Sequence, residues 1–259
     1  MINMTTEYVN ALGDLIDTVF LANMISVVDK TKVNLVLNNS VETIHLLNKL
    51  VNFGNVVINE NLTPHNSIIN TKSKDVHYNH ILDKKFYYHY SKKIEKIPLN
   101  KNIEKRDINL PEKFITTQWD AGQLYRLVDR WDPDRINNIE SHYKKLGFDI
   151  IKIGGQGQYK NLKDIMYIIS KAKYHVGADS GMNHIAKFII PIENIHIYIN
   201  IRRRENDTRF KDGWNVAWMA RELFRRGAKM NHCEYIKSHD IKGNALALNN
   251  YFLDPMNTL

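Results

Sequence analysis

One cysteine, Cys233, occurs in 259 residues. A disulfide framework within the chain is therefore excluded, and a reducing compartment, the cytoplasm, is the simple expectation. Long apolar runs are missing as well. The most hydrophobic early stretch, Leu15 to Val28, is broken by Asp17 and Asn23 and falls short of the ~20 residues a membrane-crossing helix needs. No basic segment opens the chain ahead of an apolar one, so neither a secretory leader nor a transmembrane segment is expected. The histidines are scattered and no metal-binding cluster stands out, so no metal and no other cofactor is expected. Internal repeats and low-complexity blocks are absent.

What is present is ordinary for a globular protein. A hydrophobic fraction of 43% supports a packed core. The length suits one large domain or two small ones. The formal charge of +8 favours anionic partners: nucleotides, phosphorylated glycans or nucleic acid. It does not choose among them.

Hydrophobic periodicity predicts two β-α-β series. In the first, Glu7 to Leu12 reads as a strand, Gly13-Asp14 as a turn, and Leu15 to Val27 as a helix. Val33 to Leu37 is the next strand. Ser40 caps a helix through Phe53 with Ile44, Leu47, Leu50 and Val51 on one face, and Val56 to Ile58 is a third strand. Between Asn59 and Arg106 the pattern weakens. The run Phe86-Tyr87-Tyr88-His89-Tyr90 there reads either as an acceptor-binding edge or as aromatics packed on the core in short edge strands and loops. Lys101 to Pro111 is a polar linker. The second series has strands at Lys113 to Gln118, Phe148 to Ile153, Tyr174 to Val176 and Ile195 to Ile199. Its helices are Asp134 to Leu146, Leu162 to Ala172, Ile185 to Ile190 and Trp214 to Arg226, with a last helix from Gly243 to Leu253. The fold class is α/β with parallel sheets. The division is 1–108 for an abbreviated first Rossmann-like domain, 109–235 for a second, and 236–259 for a tail that packs back on the first.

The segment Gly177-Ala178-Asp179-Ser180-Gly181-Met182-Asn183-His184 passes from an apolar strand into a helix. Ser180 is placed to cap that helix. Gly181 lets a ligand approach the main chain. Exposed amides and the helix dipole favour an anion, typically a phosphate, with His184 one turn on. Gly154-Gly155-Gln156-Gly157 lies at another strand end, either lining a nucleoside pocket or forming a plain turn; it lacks the Lys-Ser/Thr of a P-loop. Arg202, Arg203 and Arg204 follow a strand and would meet a phosphate or an anionic acceptor, or lie in solvent.

Three segments together resemble the ADP-heptose:lipopolysaccharide heptosyltransferase family (glycosyltransferase family 9). They are Ala11-Leu12-Gly13-Asp14-Leu15-Ile16-Asp17-Thr18, Arg130-Trp131-Asp132-Pro133, and Gly177 to Ala186. The third is the specific one, close to an Asp-Ser/Thr-Gly-x-x-His-hydrophobic-Ala motif. The resemblance implies a GT-B fold, with two facing Rossmann-like domains and a cleft between them. It implies inverting, metal-independent hexosyl or heptosyl transfer from a nucleotide-diphosphate sugar, with Asp14 as general base. Asp179, Ser180, Gly181, Met182 and His184 would cradle the donor diphosphate, helped by Arg126 or Arg130. Gly154 and Gly155 would line the donor pocket, and Gly13 with Arg202 to Arg204 the acceptor side. The chain departs from the family in its short first domain, in Arg130 or Arg126 where a lysine is usual, and in Met182 where Pro or Leu is usual.

Asp14 also suits the chemistry by position. Inverting transfer needs a carboxylate in reach of the acceptor hydroxyl, and a strand-to-helix turn presents one. The same position lets a carboxylate merely complement the helix dipole. Against a glycan or lipopolysaccharide-type acceptor stand three alternatives: a phage-type DNA-modifying glycosyltransferase using the basic and aromatic Lys84 to Lys93, a sugar-nucleotide epimerase, and a non-catalytic sugar-nucleotide-binding protein. The oligomeric state is not fixed by the sequence.

Overall fold

Ile2, Met4 and Thr5 are buried while Met1 is exposed, so the first strand, β1 (Ile2–Thr6), starts at the N-terminus. The computed structural model describes residues 1–6, 12–37, 40–60, 67–70, 76–77, 84–119, 133–155, 157–178, 180–200, 222–223 and 225–233. The chain forms two compact units, Met1–Ile103 and Glu104–Leu259.

In the first unit β1 is followed by α1 (Leu12–Val28), β2 (Val33–Leu37), α2 (Val41–Val51) and β3 (Val56–Ile58). Of the strand expected at Glu7 to Leu12, residues 7–11 lie outside the described residues. Thr5 and Thr6 are β-branched and pair with Val36 and Leu37, whereas Leu12 already belongs to the helix. Gly13 and Asp14 accordingly sit in the first turn of α1, not in a turn before it. Three strands are parallel, in order β3-β2-β1. The sheet then continues with β4 (Ser67–Asn70), antiparallel to β1, and β5 (Val76–His77), antiparallel to β4. These two strands add an antiparallel edge to the parallel sheet. Residues 59–66 and 71–75 are too short for the crossover a parallel neighbour requires.

Helix α1 is buried from Leu15 to Ser26 because β2, β3, α2 and α3 (Lys84–Ser91) all touch it. Polar groups on it, and Asp29 just past its end, are met from its neighbours. Asn23 Oδ1 accepts from the amides of Phe53 (3.2 Å) and Gly54 (2.8 Å). The Tyr87 hydroxyl donates to Asp17 at 3.3 Å, and that of Tyr90 to Asp29 at 2.8 Å. The run Phe86 to Tyr90 is helical, and Tyr87, Tyr88 and Tyr90 are buried. For those three rings the packed reading holds, because an aromatic every few residues on a helix faces the core. Ile44, Leu47, Leu50 and Val51 are buried together, as the period of α2 predicts. Ser40 occupies its N-cap without a side-chain cap bond.

The second unit comprises β6 (Phe114–Gln118), α4 (Pro133–Lys145), β7 (Asp149–Lys152), α5 (Leu162–Lys171), β8 (His175–Ala178), α6 (Gly181–Ala186), β9 (Ile195–Asn200) and β10 (Lys229–Cys233). Its five strands among the described residues are all parallel, in order β10-β9-β8-β6-β7. Pro133 opens α4, where its missing N–H costs nothing. Gly147, at φ 79, lets the chain leave it. Asn161 caps α5 by accepting from the Lys163 amide at 2.9 Å. Tyr143, Ile136 and Ile139 of α4 pack on one sheet face with Ile115, Val176 and Ala178. The step from β7 to β8 reverses the step from β6 to β7. A right-handed crossover therefore puts α5 and α6 on the opposite face.

Strand β10 was not expected, since Lys-Met-Asn-His-Cys carries no apolar alternation. Helix α6 ends at Ala186, with residues 187–189 in turns, short of the predicted Ile190. Most of the helix expected over Trp214 to Arg226, and all of 236–259, lie outside the described residues; Glu222, Leu223 and Arg225 are helical.

Candidate functional site

Strand order makes one place in the second unit special. Numbered within the unit, the sheet reads 2-1-3-4-5, so the chain leaves β6 toward β7 and leaves β8 toward β9. The connections diverge above the carboxyl ends of β6 and β8. In open α/β sheets such a switch point opens a crevice, where ligands bind. Residues Gly177 to Ala186 sit at that point.

The strand ends approach closely there. Gln118 and Gly177 are register partners, and a Cβ on Gly177 would lie 2.1 Å from the Gln118 carbonyl oxygen. Only glycine fits. Gly154, at φ 62, leaves room above β7: a Cβ would meet Met182 Cε at 3.4 Å and Gln118 Cγ at 3.5 Å. Gln118, Gly154 and Met182 therefore meet at the carboxyl ends of the strands.

The turn after β7 closes on itself. The Gly154 amide donates to Tyr159 O at 2.8 Å, and that of Gln158 to Lys152 O at 3.2 Å. A Cβ on Gly157 would lie 2.6 Å from Lys152 O. Of the two readings of this glycine run, a plain turn accounts for these bonds; the missing side chain of Gly154 is what bears on the crevice. Gly155, at φ 38, is exposed.

Ser180 corrects an expectation. It stands at the N-cap of α6 in extended conformation, but its hydroxyl caps nothing. The Asn183 amide, which a capping hydroxyl would take, donates instead to the Ser180 carbonyl at 3.1 Å. Among the described residues Ser180 Oγ is buried without a hydrogen-bond partner. Asn183, fully buried, donates through Nδ2 to Ala178 O at 2.6 Å, tying α6 to the end of β8, and its Oδ1 is buried without a partner among the described residues. Gly181 and Met182 are half-buried, and His184 is buried in the last turn of α6.

In the first unit, Asp14 is half-buried in the opening turn of α1 next to half-buried Gly13. Its carbonyl accepts from Thr18 Oγ1 at 2.7 Å. One turn on, Asp17 is 1% exposed. Asp179, Arg126, Arg130 and Arg202 to Arg204 lie outside the described residues. Among the described residues no group of three or more His, Cys, Asp or Glu side chains is arranged to hold a metal ion, and no helix is long and apolar enough to cross a membrane. The sequence does contain one Asp-x-Asp triplet, Asp132-Pro133-Asp134, with Asp134 in the first turn of α4.

Two histidines in the same sheet belong to the core. His175 accepts from or donates to Thr116 Oγ1 through Nδ1 at 3.0 Å, and burial lowers its pKa to about 3. His196 stacks on Tyr174, with ring centroids 4.7 Å apart, and burial lowers its pKa to about 4. Both are neutral at pH 7. Gln118, Asn183 and Glu140 escaped the sequence reading. For Glu140 a signal existed: it shares the helical spacing of Ile136, Ile139 and Tyr143, so a carboxylate occupies an apolar face.

No family model matches the sequence. No curated protein matches it significantly. Among solved structures, the chain is similar to the bacterial iron-containing dodecameric glycosyltransferase TibC from enterotoxigenic E. coli H10407, with 12% identity and a TM-score of 0.48. The alignment covers 76% of this chain and 57% of that one, so the chain spans under two thirds of that protein's length.

Proposed function

We propose that the chain is an inverting glycosyltransferase that holds a nucleotide-diphosphate sugar at the switch point between β6 and β8. One observation carries the reading: the segment Gly177 to Ala186, which resembles the donor motif of glycosyltransferase family 9, coincides with the switch point of a parallel sheet. Two buried polar atoms without partners among the described residues, Ser180 Oγ and Asn183 Oδ1, flank the first turn of α6. Buried polar atoms are almost always paired, so a polar ligand at this position supplies what they lack.

The chemistry follows from the leaving group. The acceptor oxygen bonds to the anomeric carbon as the bond from that carbon to the diphosphate oxygen breaks. Asp14 takes the hydroxyl proton. Negative charge gathers on the departing nucleoside diphosphate, where donors fixed in advance lower the barrier. Asp179, His184 and Arg126 or Arg130 are assigned to that end, and Gly13 with Arg202 to Arg204 to the acceptor. The acceptor is a hydroxyl of a glycan. The DNA reading loses one support, because Tyr87, Tyr88 and Tyr90 are buried and offer no face for a base.

A thermal-shift screen with ADP-, UDP- and GDP-sugars tests the reading, since a ligand of the folded state raises Tm with concentration. One nucleotide series should shift Tm and release its diphosphate when a glycan acceptor is added. No shift with any donor removes the proposal.

A further inference from the structure

A carboxylate on the apolar face of α4 demands an account. Glu140 is 5% exposed, among side chains that pack on the sheet. Burying a charge there is costly unless its lone pairs are met, and an apolar residue of similar size would fill the space without that cost. The partners of Glu140 come from the ends of two strands. Trp119 Nε1 donates to its Oε1 at 3.0 Å and Thr117 Oγ1 at 3.3 Å. Lys152 Nζ lies 3.1 Å from its Oε2. Thr117 and Trp119 flank Gln118 at the exit of β6, and the Trp119 ring is further held edge-on by Tyr198 at 5.6 Å. Lys152 is the last residue of β7, just before Ile153-Gly154-Gly155.

One carboxylate thus ties down the start of two connections. The first begins at Trp119, directly after Gln118. The second places Gly154 against Gln118 and Met182. We infer that Glu140 is a positioning residue: it fixes where the connections after β6 and β7 depart, and so sets the groups that meet the donor. The inference rests on the nucleotide-sugar reading for its ligand, but not for the hold on the two connections.

The test uses the full chain as wild type, E140Q, E140L and W119F. Amide hydrogen exchange is read by peptide, and binding of ADP, UDP and GDP by calorimetry. E140Q keeps an acceptor for Trp119 and Thr117 but loses the charge facing Lys152. It should speed exchange over 152–155 and leave 117–119 close to wild type. W119F should do the reverse. E140L should speed both by about tenfold, with α5 and β8 peptides unchanged, and weaken nucleotide binding by about tenfold. Should E140L fail to fold, E140Q and W119F still separate the two connections. Unchanged exchange in both connections, or a uniform rise across the unit, overturns the inference. So does undiminished nucleotide binding in an E140L protein whose connections exchange faster. Wild type that binds none of the three nucleotides, with the exchange pattern as expected, supports the hold of Glu140 and overturns the nucleotide-sugar reading.

Discussion

The Gln118 carbonyl and Gly177 face each other across the exits of β6 and β8, so closely that a Cβ on Gly177 would lie 2.1 Å from that oxygen. Backbone, not a flexible side chain, fills the space. G177A should therefore force β6 and β8 apart and destabilise the second unit by about 1–3 kcal/mol, roughly 2–10 °C in Tm. A thermal melt checks it, and a wild-type Tm for G177A contradicts the packing described.

Asp14 gives the sharpest kinetic expectation. D14N preserves shape and removes the base. Transfer should fall by about 10²–10⁴-fold while donor affinity stays within about twofold, because the donor is assigned to the second unit. Single-turnover assays with calorimetric donor binding separate the two effects. Full activity in D14N returns Asp14 to the role of complementing the α1 dipole.

Mild acid should weaken the second unit. Burial lowers the folded-state pKa of His175 to about 3 and of His196 to about 4; a neighbouring His196 adds to the first and Lys229 to the second. Above pH ~6.5 both histidines are neutral whether folded or not. As pH falls below that value, the unfolded chain takes up protons that the folded chain refuses. Stability therefore drops as pH falls toward 4, by up to ~1.4 kcal/mol per pH unit for each histidine. The two interact, so their titrations are read as a pair. Urea melts between pH 7 and 5 should show this slope, and H196Q should flatten it.

Helix α1 ends in a bond pattern that suits glycine. The Thr31 amide donates to Ser26 O at 3.0 Å and that of Lys30 to Val27 O at 3.4 Å, the Schellman arrangement. The left-handed residue is Lys30, at φ 49. K30G removes that strain but frees the unfolded chain. The net gain should be about 0.5–1 kcal/mol, read as a higher urea midpoint with unchanged slope.

Periodicity made most of this fold legible. Ile44, Leu47, Leu50 and Val51 announce α2, and Val33 to Leu37 announces β2, because their apolar spacing is what burial selects. The edges were not legible. Lys229–Cys233 joins the sheet at its margin, where one neighbouring strand suffices and apolar alternation is not required. Phe86 to Tyr90 is helical and packs through its tyrosines on Asp17 of α1 and on Asp29 just past it, contacts sixty and more positions away in sequence. At the site, Gly177 to His184 was legible as a strand-to-helix passage. The idle hydroxyl of Ser180 was not, since it depends on which carbonyl the Asn183 amide finds. Glu140 was overlooked because a lone carboxylate in a helix reads as surface until its spacing is compared with its neighbours.

Hydrogen exchange in the presence of the bound nucleotide sugar tests the central claim most directly. The account predicts slowed exchange in peptides covering the ends of β6 and β8 and the first turn of α6, residues 117–119 and 177–184. Protection confined to other parts of the chain, or no protection with any ADP-, UDP- or GDP-sugar at saturating concentration, contradicts it.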